Sequence, residues 1–598
     1  MHRPIKGAPR SPRPFLPATR EEMDALGWDQ LDVLIVTGDA YVDHPSFGPA
    51  VIARVLEAEG LRVGVLPQPD WRSRDAFTVM GLPRLFCGIS AGNLDSMLAH
   101  YTAEKHKRHD DDYTEGGTAG KRPHRATTVY SQCVRAAFPG TPVVIGGIEA
   151  SMRRTVHYDY WDDRLRPSIL ADSKADLLVY GMGEQAVREV ARRCAGGSHD
   201  FSGIRGTARL LGAREGRDYS LEALCLLPSW EECRADMRKL LELTKAVERE
   251  QNPWCGRRLV QFHGERPLVV EPPQPPLSPE ELDRIYELPF TGRPHPLHKG
   301  EIPAYTMVKD SVTVVRGCAG GCSFCSLGFH QGRLLTSRTL PSVKREVTRL
   351  AEQPGFRGTI SDLGGPTANL YGCANGISKK CRTCRRGSCL YPFICSNFAV
   401  DGAKALGLYR SIGAMPQVKH LFISSGIRMD VALRCPPYVR ELCRHHVPGH
   451  LKVAPEHLHP SVTARMRKPR AEVFHEFCGL FEKESRKAGK EQYIVPYFIA
   501  GFPGCGEEEM KAVRDFLKAR KWNLRQVQSF IPLPMTPAAA MFFTGLDYAT
   551  GKPVAVIKGT GPRERQKTML TGRRRRQGTE REPQGKSAPG RKAGSGKK

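Results

Sequence analysis

RGCAGGCSFC, residues 316–325, is the stretch on which the reading of this chain turns. It carries three cysteines, Cys318, Cys322 and Cys325, in the spacing CxxxCxxC, and glycines at 317, 320 and 321 let the backbone wrap closely around a compact inorganic group. Thiolates are soft anionic ligands suited to iron in a sulfide cage. Three thiols on one tight loop would leave one iron of a four-iron cluster without a protein ligand, an open position of the kind catalysis uses. With 18 cysteines in 598 residues, chance supplies only about 0.02 such spacings. A zinc knuckle and plain core cysteines are the competing readings of the same residues.

Outward from this loop, strand patterns recur at 311–316, 358–362, 419–424, 450–453, 493–499 and 526–531. Helical stretches such as 341–352, 471–488 and 507–519 separate most of them. Six βα repeats predict a parallel sheet wound into a partial barrel over 301–550, with its active site at the carboxyl ends of the strands. Upstream, buried-strand patterns at 32–39, 62–67, 83–89, 142–148 and 176–180, with a helix at 49–59, predict an open Rossmann-like α/β domain. That domain is taken as 25–265, with 200–265 reading as mostly helical. A Pro/Arg-rich arm (1–24) precedes it, and a proline-rich linker and helix (266–300) follow it.

Net charge is +27, and residues 551–598 hold 15 Lys/Arg against 3 Asp/Glu. This last segment has too little apolar content for a core and is predicted to be a disordered basic tail. Apolar runs are far shorter than a membrane span, and the N-terminus has no apolar segment of a secretory signal. A cytoplasmic protein without a membrane partner is therefore expected. Cysteine-rich but unsecreted, it is expected to use its thiols for metal or redox work rather than disulfides.

The motif, with Phe324 before its third cysteine, resembles the radical S-adenosylmethionine (SAM) superfamily, and the order of elements with TGDAYVDHPSFG (37–48) resembles its YgiQ family. The resemblance implies a [4Fe-4S] cluster on Cys318, Cys322 and Cys325 that reductively cleaves SAM to a 5′-deoxyadenosyl radical. The electron would come from a reductant such as flavodoxin or ferredoxin. It implies SAM contacts at Gly364, Gly365 and Pro366, where Pro366 replaces the usual Glu, at Ser424 and Arg428 after the third strand, and at Gly501 in GFPG after the fifth. Arg428 is equally readable as a structural arginine. No catalytic residue and no substrate carries over from the resemblance. Nucleic acid is one open substrate class, suggested by the charge and by a methylthiotransferase-like segment at 528–532.

A second group, Cys373, Cys381, Cys384, Cys389 and Cys395, falls in one Gly/Arg-rich loop. An auxiliary iron–sulfur cluster and a structural zinc remain open for it, beside unliganded thiols. Cobalamin is not expected: the DxHxxG pattern is unmet, since Asp43 and His44 are adjacent. Residues 149–163 read either as a substrate surface or as an inter-domain contact. GxSxG at 88–92 has no identifiable His/Asp partners. The alternative to a radical enzyme is a non-catalytic Fe–S or zinc protein that binds nucleic acid or senses redox state.

Overall fold

Five buried strands form the heart of the N-terminal half. In the computed structural model, which describes residues 15–571 apart from 218, 221, 223, 377 and 525, Val33–Thr37 (β1), Val63–Pro67 (β2), Phe86–Ser90 (β3), Val143–Gly146 (β4) and Leu177–Val179 (β5) lie parallel in the order β2-β1-β3-β4-β5. Their continuous apolar runs suit a sheet covered on both faces, and all five β1 residues are buried. Gly48–Ala58 (α1), with proline in its first turn, crosses from β1 to β2. The winding reverses between β1 and β3, which opens a crevice outside their carboxyl ends.

The sheet continues through Thr207–Leu210 (β6), Cys225–Leu226 (β7), Leu259–His263 (β8) and Arg266–Val270 (β9) to nine strands, ending β5-β6-β9-β8-β7. Two expectations are corrected. Residues 200–265 contain helices at Trp230–Ala235 and Lys239–Arg249, but also three strands. The linker begins after β9 rather than at 266. A two-residue turn joins β8 to β9, with Gly264 at φ +61° supplying the left-handed backbone a tight hairpin needs. Pro267 disguised β9 as linker, yet its carbonyl accepts from Leu211 N–H at 3.0 Å, and Leu268, Val269 and Val270 are buried.

The C-terminal half is a partial barrel. Ser311–Thr313 (β10) pairs with Asp362–Gly364 (β12), and Thr359–Ile360 (β11) with His420–Leu421 (β13). One parallel bridge, Ile427 to Val453, leads to His450–Glu456 (β14), which pairs with Tyr493–Ala500 (β15), itself paired with Gln528–Ser529 (β16). All these pairings are parallel. Amphipathic helices Leu340–Ala351 (α2), Ala471–Lys487 (α3) and Glu507–Ala519 (α4) lie between the strands. The architecture is mixed α/β, as expected.

The expected tail begins later than 551. Thr560–Thr571 (α5) is a helix whose Arg563 is fully buried, donating to Ile557 O at 2.9 Å and to Tyr160 OH at 2.8 Å. Gln566 donates to Cys505 O at 2.8 Å. These two side chains satisfy buried acceptors, which is why a basic segment folds here. Residues 572–598 and 1–14 lie outside the described residues. Tyr158 and Tyr160 pack on Phe542, so the 149–163 stretch forms an inter-domain contact. Among the described residues no helix is long and apolar enough to cross a membrane.

Candidate functional site

The cysteine loop leaves the first barrel strand at Arg316 and is pinned on three sides. Cys318 N–H donates to Gly332 O at 3.0 Å, Ser323 N–H to Met466 O at 3.1 Å, and Ser388 Oγ to Gly320 O at 2.7 Å. Two glycines are required by this path. Gly317 has φ +84° and a Cβ there would stand 2.0 Å from Leu334 O; Gly321 has φ +60° and its Cβ would stand 2.2 Å from Gly387 O. Gly320 is different. Its backbone is not left-handed, and an ideal Cβ would lie 3.5 and 3.7 Å from the Sγ atoms of Cys318 and Cys322, so these thiols gather on one side of the loop.

Cys325 is half-buried. Burial, then its neighbours Cys322 and Cys318, push its thiol up to about 12; burial and Cys322 raise Cys318 likewise. Such mutual influence requires the three thiols to be close. A cubane takes its thiolates on three different irons, so its ligands ring a cavity instead of meeting at a point. Among the described residues no three His, Cys, Asp or Glu side chains meet around a single ion. Three half-buried thiols on one tight glycine-bearing loop fit a [4Fe-4S] group.

Motifs from the next strands reach the same place. Thr367 Oγ1 lies 4.0 Å from Cys318 Sγ, just past Gly364-Gly365-Pro366. Neither glycine has room for a side chain: Cβ atoms would meet Ser425 Oγ at 2.6 Å and Val315 O at 2.5 Å. Asp362 ties the second strand end to the third by accepting from the backbone N–H of Ser424 (2.8 Å) and Ser425 (3.0 Å). Ser424 itself is exposed, its hydroxyl donating to Ser361 O at 2.7 Å. Arg428, buried, donates through Nη1 to Cys322 Sγ at 3.9 Å and is fixed by a fork onto Asp430, at 2.9 and 2.6 Å. The side chain expected near SAM thus also serves the cysteine loop. Gly501 lies under α5, its N–H donating to Gln566 Oε1 at 2.8 Å; the adjoining Phe502 meets Phe324 edge-on, ring centres 6.2 Å apart.

Two further groups lie in VAPEH (453–457), at the end of β14. Glu456, at the end of β14, is buried with φ +64°, rare for a residue with a side chain and a mark of functional strain. Burial raises its carboxyl despite Lys468 at 3.5 Å. His457 Nε2 lies 3.3 Å from Cys505 Sγ, where burial drives the imidazole down to about 3 and the thiol up to about 12.

In the second cysteine group, Cys381, Cys384, Cys389 and Cys395 ring one small cavity, and Asn375 donates to Cys389 Sγ at 3.4 Å. Asn252, from the N-terminal half, gathers the carbonyls of Cys381 and Cys384, both at 2.9 Å. Cys373 stands apart, buried and donating to Asn369 O at 3.6 Å. His44 is buried, its Nδ1 accepting from Ser46 N–H at 3.1 Å. Ser90 hydrogen-bonds to Gly92.

Comparison with known proteins agrees with this geometry. The model described as Radical SAM N-terminal matches residues 15–311, and that of the Radical SAM superfamily matches residues 312–517. A UPF0313 protein of Geobacter sulfurreducens is 49% identical over 558 residues, covering 93% of this chain and 92% of that one. The chain belongs to the UPF0313 (YgiQ) family of radical SAM proteins. UPF0313 protein YgiQ of Salmonella typhimurium is 42% identical, covering 94% of this chain and 86% of its own length. Among solved structures, the radical SAM methyltransferase TsrM of Kitasatospora setae, with cobalamin and a [4Fe-4S] cluster bound, aligns at TM-score 0.48 and 17% identity, over 85% of this chain and 76% of that one.

Proposed function

We propose that this UPF0313 chain is an enzyme that holds a [4Fe-4S] cluster on Cys318, Cys322 and Cys325 and binds SAM beside it. The observation that carries this reading is the meeting of three strand ends: Thr367 at Cys318 and Arg428 at Cys322 bring the segments after the second and third strands onto the cysteine loop. When bound, the reduced cluster supplies the electron that cleaves the S–C5′ bond of SAM, giving methionine and a 5′-deoxyadenosyl radical. Half-buried backbone at Gly365 and Pro366 offers carbonyls to the SAM amino group, while the Gly364 carbonyl is held by Val314 N–H at 2.7 Å. Arg428 offers a fixed positive charge, and Gly501-Phe502 an apolar wall for the adenine. Phe324, Phe502 and Phe530 pack edge-on to one another beside the loop, which keeps water away.

The electron donor is a low-potential protein such as flavodoxin or ferredoxin, in the cytoplasm. Cys381, Cys384, Cys389 and Cys395 are the place for any auxiliary metal; Cys373 is left out of that set. Cobalamin, bound in the TsrM structure, is not carried over, because the DxHxxG pattern is unmet: Asp43 and His44 are adjacent. Anaerobic reconstitution followed by SAM and dithionite tests the proposal. Wild type is expected to form 5′-deoxyadenosine and Cys322→Ala none. A loaded cluster that neither binds nor cleaves SAM would favour a non-catalytic sensor or nucleic-acid-binding protein.

A further inference from the structure

Between the carboxyl edge of the N-terminal sheet and the barrel lies a crevice of about 510 Å³. It sits at the β1/β3 reversal, where open α/β sheets bind ligands, and its volume is that of an organic-molecule site. Ile35, Gly88 and Gly146 line one side, and Val315, Leu327 and Gly365 the other. Leu327 is two residues beyond Cys325, and Gly365 belongs to the strand end assigned to SAM. Ser424, Arg428 and Gly501 do not line it, so this space is additional to the barrel interior.

Two of its glycines leave room for a side chain. Gly146 has extended backbone, φ −158° and ψ −166°, which any residue adopts, and a Cβ there would meet nothing nearer than Val179 O at 3.5 Å. A Cβ on Gly48 would meet nothing nearer than Asn93 Oδ1 at 3.7 Å. Gly48 in the first turn of α1 and Gly146 as the cap of the helix 147–151 thus leave this stretch of the crevice wall bare of side chains. The walls carry no free charge. The only ionised liners, Glu184 and Arg316, are buried and paired with each other, and Arg316 also donates to Tyr286 OH at 3.2 Å. Asn93 is spent on Gly48 N–H and Ser46 O, both at 2.8 Å. The crevice offers an anion, a phosphodiester above all, no free cationic side chain.

We infer that this crevice holds the substrate of the radical, and that the substrate is a small, uncharged, largely apolar organic molecule rather than RNA. The inference rests on the radical SAM reading above. Its test has two arms. The first uses protein without cluster and the uncharged dye Nile red. Wild type is expected to bind saturably, Gly48→Leu/Gly146→Leu roughly tenfold or more weakly, and Gly146→Ala in between, with unchanged circular dichroism. Equal affinity in all three, or no binding by wild type, overturns the inference. The second arm measures 5′-deoxyadenosine from reconstituted protein given either ultrafiltered small molecules that pass both anion and cation exchangers, or purified transfer RNA. Stimulation by the neutral pool, lost in the double leucine variant, supports the crevice. Stimulation by RNA that survives the leucine substitutions overturns it while leaving the radical SAM reading intact. No 5′-deoxyadenosine from wild type under any condition removes that reading, and the substrate role with it.

Discussion

Replacing Gly321 with alanine attacks the cysteine loop at one of its two tight points, and replacing Gly320 supplies a matched control one residue away. At Gly321, φ +60° costs an L-residue about 1 to 2 kcal/mol. The new Cβ would stand 2.2 Å from Gly387 O and 2.8 Å from Ser388 Cβ, so that segment must retreat. Retreat strains the bonds from Ser388 Oγ to Gly320 O and from Cys389 N–H to Ala319 O, each worth about 1 kcal/mol. The sum is roughly 3 to 4 kcal/mol, or a factor of a hundred or more in the population of the closed loop. At Gly320 the same methyl group meets only contacts of 3.3 Å or longer, at Arg428 Nη1 and the two thiols. The assay is iron per chain after anaerobic reconstitution and desalting. Gly321→Ala is expected to keep well under half of the wild-type iron and Gly320→Ala nearly all of it. Wild-type iron in Gly321→Ala would refute the steric reasoning.

Arg428→Met strands Asp430 in a buried site and should cost about 3 kcal/mol of stability by chemical denaturation. Adding Asp430→Asn should restore most of the stability but not the cluster lifetime, because the donor to Cys322 stays absent. Glu104 joins the domains by accepting from Ser529 Oγ at 2.5 Å and Lys567 Nζ at 2.9 Å; burial alone would raise its carboxyl, but these partners hold it down to about 2. Its contribution is therefore complete above about pH 4.5 and lost as pH falls toward 2. After solvent screening, Glu104→Gln should cost about 1 kcal/mol at neutral pH, a difference from wild type that shrinks on acidification; a constant difference between pH 7 and 3 in apoprotein unfolding would contradict this.

Much of the barrel was legible because its strands are apolar runs interrupted by helices of clear periodicity, as with 493–499 beside Tyr493–Ala500 and 507–519 beside α4. The chemistry was legible in one loop because cysteine spacing is a local signal. The second half of the N-terminal sheet was not: β6 to β9 are mixed in direction and interleaved with real helices, and Pro267 concealed the last. Helix α5 was hidden by its charge, since only tertiary packing shows that Arg563 faces Tyr160 instead of water. The Glu456–Lys468 pair and the crevice at Gly146 and Gly365 join residues far apart in sequence, and no local pattern announces them.

The most direct measurement of the central claim is 5′-deoxyadenosine formed anaerobically from SAM and dithionite by reconstituted protein, with iron content and SAM binding recorded on the same sample and Cys322→Ala run beside it. The account predicts product from wild type, none from the variant, and SAM binding only when the cluster is loaded. Fully loaded wild type that neither binds SAM nor forms 5′-deoxyadenosine would contradict it.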